Sequence, residues 1–142
     1  MNLSKKFVLL LTTLVVLVFL TAPFVHAQTV IDPGQPDPNP ERTDYQVGVY
    51  FQSRGNYERA IAAFSTAIQR QPTLAAAYSA RADSYAGLQQ YDLAIVDYTQ
   101  ALVLHPQDSL IYVKRAFAFA AQGDLENGQH DFEQVMAINT GS

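Results

Sequence analysis

The sequence predicts an all-α fold, a solenoid of three stacked helix-turn-helix hairpins. Two observations carry this. First, a ladder of residues recurs every 34 positions: Phe51, Tyr85 and Phe119; Phe64, Tyr98 and Phe132; Tyr57, Tyr91 and Leu125. Small residues keep step with it, as Gly48, Ala82 and Ala116 and as Ala60, Ala94 and Gly128. Second, the residues between the rungs follow helical spacing and are punctuated by turn residues. A fixed period of this length marks stacked copies of one supersecondary unit, each too thin to bury its own apolar face.

The units span residues 41–74, 75–108 and 109–142. In the first, Asp44, Val47, Gly48 and Phe51 fall at i, i+3, i+4 and i+7, which places them on one helical face. Gly55-Asn56 supplies the turn, and Ala60, Phe64, Ala67 and Ile68 form the stripe of the second helix. Gln71-Pro72 ends it, because the residue before proline is pushed out of helical geometry. The cycle repeats through the turns Gln89-Gln90 and Gly123-Asp124, so helices are expected over 42–54, 57–70, 75–88, 91–104, 109–122 and 125–138.

Two segments precede the array. Residues 1–27 carry Lys5 and Lys6, an apolar run from Phe7 to Leu20, a helix-breaking Pro23, and Val25-His26-Ala27. This is the three-part pattern of a secretory signal, with cleavage expected after Ala27 and an extracytoplasmic destination. The alternative is an uncleaved membrane anchor, since Phe7 to Val25 is just long enough to span a bilayer. Residues 28–40 hold Pro33, Pro36, Pro38 and Pro40, whose fixed φ and missing donors favour an extended linker.

Composition narrows the function. A net charge of −4 lacks the basic surface that nucleic acid requires. Cysteine is absent, which removes disulfides, thiolate catalysis and Cys-based zinc sites. His105 and His130 have no metal-site spacing, and no nucleophile elbow, P-loop or dinucleotide fingerprint is present. Asp83, Asp92 and Asp97 are not arranged as a general acid and base. No enzyme activity, cofactor or metal is expected.

On these residues the chain resembles the tetratricopeptide repeat (TPR) family, whose pattern is W-x2-L-G-x2-Y, then A-x3-F, then P. The units read Asp44-x2-Val47-Gly48-x2-Phe51, Ala60-x3-Phe64 and Pro72; Tyr78-x2-Arg81-Ala82-x2-Tyr85, Ala94-x3-Tyr98 and Pro106; and Tyr112-x2-Arg115-Ala116-x2-Phe119 with Gly128-x3-Phe132. Departures sit at the ends: Asp44 stands for an aromatic, and Gly128 and Thr140 weaken the last unit. The resemblance implies a right-handed superhelix that binds a protein or peptide on its concave face.

Arg81 and Asp97 occupy matched places in unit two, as do Arg115 and Asp131 in unit three. In unit one both places are uncharged, Val47 and Ala63. Charge that comes and goes together suggests structural Arg–Asp ion pairs.

The candidate docking face is the side of each first helix opposite its packed stripe. It comprises Arg42, Gln46, Val49 and Ser53; Ala76, Ala80, Asp83 and Gly87; and Leu110, Lys114, Phe117 and Ala121. Small residues around Asp83, with apolar walls at Val49 and Phe117, suit a peptide with an apolar anchor and one basic group. Alternatively, Asp83 is a solvated acid and Phe117 packs on a neighbouring helix. Some family members clamp acidic chaperone tails with basic and amide side chains. The matching places here are Tyr45, Val49, Ala80, Leu110 and Lys114, and Lys114 alone fits. The expected function is therefore an exported scaffold for protein binding. The alternatives are a homo-oligomeric envelope element paired through its last hairpin, and a carrier holding an apolar small molecule over Ala76 and Ala80.

Overall fold

A computed structural model describes residues 43–141. The signal or anchor expected at 1–27, the linker at 28–40 and Arg42 lie outside the described residues.

Among the described residues there are six helices and no strands: α1 Asp44–Gln52, α2 Tyr57–Arg70, α3 Ala75–Gly87, α4 Tyr91–Leu104, α5 Ser109–Gln122 and α6 Leu125–Thr140. Helices pair in order as the hairpins α1/α2, α3/α4 and α5/α6, and α2/α3 and α4/α5 form the joints between them. Elements further apart in sequence barely meet, as expected of a solenoid. No described helix is long and apolar enough to cross a membrane.

Local chemistry sets the helix ends. Thr43 Oγ1 accepts from the Gln46 backbone N–H (3.3 Å), and Gln46 Oε1 accepts from the Thr43 N–H (3.0 Å). This capping box starts α1 at Asp44, two residues later than expected. Asn56, Asp108 and Asp124 accept from the first-turn N–H groups of α2, α5 and α6. Asn127 donates twice to Asp124 and holds its carboxyl below the usual carboxylate range. Each hairpin turn places one residue in left-handed geometry: Gly55 at φ 72°, Gln89 at φ 60° and Gly123 at φ 87°. The last helix runs two residues past the expected 138, to a left-handed Gly141.

Packing follows the alternation of large and small residues. Phe64 is buried against Gly48, where a Cβ would stand 2.8 Å from its Cζ. Ala82, Ala94, Tyr98, Ala101, Leu102, Ile111 and Ala118 form the central core, which spans the second and third hairpins. Asp44, at the place of an aromatic, is tied instead to Arg70 at the far end of α2 (2.7 Å).

Candidate docking surface

Every first helix carries one residue at the register of Val49, Asp83 and Phe117, spaced by 34. Two of the three, Asp83 and Phe117, are set against the aromatic of their own second helix. Phe117 stacks edge-on against Phe132, with centroids 5.9 Å apart. Tyr98 donates its phenol O–H to Asp83 Oδ1 at 2.7 Å. Burial, followed by this hydrogen bond, pushes the Tyr98 phenol well above its ordinary range.

Asp83 Oδ2 also receives Lys114 Nζ at 2.7 Å. One carboxylate thus joins α3, α4 and α5. This corrects the expectation of a carboxylate open to a basic ligand group: Asp83 is neither a lone solvated acid nor free, because Lys114 on the next hairpin already matches it. Lys114 is likewise committed rather than poised for an anionic tail.

The other expected groove residues separate. Gln46 is exposed but serves the α1 cap. Ala80 is buried in the joint between the first two hairpins, where Gln52 Nε2 donates to its carbonyl (2.9 Å) and to Ser84 Oγ (3.1 Å). The floor expected from Ala76 and Ala80 is therefore incomplete: Ala76 is exposed, whereas Ala80 is turned into the joint with the neighbouring hairpin. Exposed apolar side chains remain at Val49 (41%), Leu110 (59%) and Phe117 (64%). Leu110 and Phe117 lie seven apart on one helix and so share a face.

Behind this face runs an arginine ladder. Arg81 Nε and Nη2 donate to Asp97 at 2.7 and 2.8 Å, and its Nη1 donates to Ser65 Oγ of the preceding hairpin at 3.0 Å. The bond to Asp97 raises the Arg81 pKa against the opposing effect of burial. Arg115 repeats the arrangement, with Asp131 at 2.8 and 2.6 Å and Thr99 Oγ1 at 2.9 Å. Both carboxylates are buried. Each arginine closes its own hairpin and staples it to the one before. Ser65 and Thr99 escaped the sequence reading; the signal for them was their 34-residue register, 16 before each arginine. α4 also carries exposed apolar side chains at Leu93, Val96 and Val103, which no 34-residue repetition signals.

The tetratricopeptide repeat family model matches residues 46–109 and 79–135, together more than half of the chain. The chain belongs to the tetratricopeptide repeat family. As a TPR chain it is 34% identical over 83 residues to small glutamine-rich tetratricopeptide repeat-containing protein 2 of Saccharomyces cerevisiae, covering 58% of this chain and 24% of that protein. It is 31% identical over 98 residues to human serine/threonine-protein phosphatase 5, covering 69% of this chain and 19% of the phosphatase. It spans about a quarter or less of the curated relatives it matches. Among solved structures, the second TPR of Spaghetti (RPAP3) bound to the HSP90 peptide SRMEEVD aligns with a TM-score of 0.64 at 32% identity, covering 67% of this chain and 88% of that one. MamA aligns with a TM-score of 0.67 at 21% identity, over 68% of this chain and 53% of that one, a likeness of fold.

Proposed function

We propose that this TPR chain is an exported, non-catalytic scaffold that docks a peptide segment of another protein across its first helices. The observation that carries this is the exposure of Val49, Leu110 and Phe117 on those helices, flanking a charge network that is internally neutralised. Burial of apolar anchors supplies affinity in such a site, and few charges set register. The peptide-bound RPAP3 domain supports peptide binding as the mode. The ligand proposed here differs from an acidic tail, because Lys114 is matched by Asp83 and the groove offers apolar side chains instead.

Photo-cross-linking residues at Val49 and Phe117 test the proposal against one at Val103 on α4. A defined partner adduct from the first two positions, absent from the third, is expected. Adducts from Val103 alone would sink it. Export is tested separately by sequencing the mature N-terminus, expected to begin at Gln28.

A further inference from the structure

The two joints between hairpins show the side-chain pattern that packs against a second helix, and the corresponding side of α6 is exposed. At the first joint, Ala77, Arg81 and Ser84 of α3 face the preceding hairpin; at the second, Ile111, Arg115 and Ala118 of α5 take the same places. Each set reads apolar at i, arginine at i+4 and small at i+7. Across the joint, the preceding second helix offers an aromatic, a hydrogen-bond acceptor beside it and an apolar residue four further on from the aromatic. These are Phe64, Ser65 and Ile68, then Tyr98, Thr99 and Leu102.

One period later, α6 offers Phe132, Glu133 and Met136. Phe64 and Tyr98 are 0% and 3% exposed, whereas Phe132 is 42% exposed. Leu102 is 5% exposed and Met136 63%. The acceptor rung changes from hydroxyl to carboxylate. Glu133 is an exposed residue that takes a bond from Gln129 Nε2 at 3.1 Å and lies 3.9 Å from His130 Nδ1.

We propose that this end of the stack is a second docking site, adjoining the face of the first helices at the Phe117–Phe132 contact, for one amphipathic helix of a partner protein. That helix carries an apolar residue, an arginine four positions on and a small residue seven positions on. Its arginine seats on Glu133, where Arg81 and Arg115 seat on Ser65 and Thr99, and its small residue lets it approach Phe132 and Met136. A charged acceptor makes the bond to arginine stronger than its neutral counterparts in the ladder. A second copy of this chain fits poorly. Its α1 offers Thr43, Val47 and Tyr50 at the three places, with no arginine and a bulky ring where a small residue belongs.

The chain contains two methionines, Met1 and Met136, so a 13C-methyl methionine label places one signal on the proposed site. The probe is a hydrocarbon-stapled peptide with the α3 sequence, residues 75–87. Titrated into the full chain, it is expected to move the Met136 methyl signal to saturation. Replacing the peptide arginine by glutamine, or Glu133→Gln in the protein, should each weaken binding about tenfold, and the two changes together should cost little more than either alone. Glu133→Arg should restore binding to a peptide whose arginine is replaced by glutamate. An unmoved Met136 signal, or an affinity indifferent to the arginine, would overturn the proposal. So would a Met136 signal that moves with protein concentration alone, which would assign the face to a second copy.

Discussion

The Arg81 guanidinium meets the Asp97 carboxylate through two parallel hydrogen bonds, Nε to Oδ2 at 2.7 Å and Nη2 to Oδ1 at 2.8 Å. Asp97 is buried, so its charge depends on this partner. Arg81→Ala should cost ~3 kcal/mol in urea unfolding, because it strands a buried carboxylate. Replacing both, as Arg81→Met with Asp97→Leu, should cost clearly less than the single change. Equal losses would mean that the pair contributes packing and not charge.

Gln89 sits at φ 60°, where the first and third turns carry glycine. A residue with a Cβ is strained there by roughly 1–2 kcal/mol, while glycine adds chain entropy to the unfolded state. Gln89→Gly should therefore raise stability by about 0.5–1 kcal/mol and lift the thermal midpoint. A lower midpoint would show that the entropy wins.

Gly48 illustrates the opposite balance. An alanine there improves helix propensity by about 1 kcal/mol. Its Cβ would press into the buried Phe64 ring, and overpacking costs ~1–3 kcal/mol. Gly48→Ala should be net destabilising, and Phe64→Leu in the same chain should recover part of the loss. Chemical denaturation of the two variants checks this.

Tyr98 keeps its proton more tightly in the folded chain than unfolded, since burial and the bond to Asp83 raise its pKa. The unfolded phenol releases its proton near pH 10, so the stabilisation is whole below about pH 10 and declines as pH rises beyond it. Urea midpoints measured between pH 8 and about 11.5 should fall above pH 10. Tyr98→Phe should start lower, having lost the bond, and fall less steeply. An identical slope would remove Tyr98 from the account.

The helices and turns were legible because they rest on local chemistry repeated at one period. Pro72 and Pro106, the helical stripes and the Gly55, Gln89 and Gly123 turns can all be read along one dimension. The charges at 81 and 97, and again at 115 and 131, form a visible pattern for the same reason. The Asp83–Lys114 bond was harder to see. It crosses between hairpins at a separation of 31 and occurs once, so no repetition flags it. Ala80 was misplaced onto an open face because helical phase gives a direction without saying what stands there. Gln52 occupies that direction, and its amide reaches a backbone carbonyl that carries no sequence signature.

The most direct test of docking on the first helices is the Val49→Ala, Phe117→Ala double variant. Its partner capture by in-cell cross-linking should be compared with that of the unmodified chain, with far-UV circular dichroism recorded on both. The partner should be lost while the helical signal is unchanged. Undiminished capture with an intact fold would contradict docking there and move the contact to another surface.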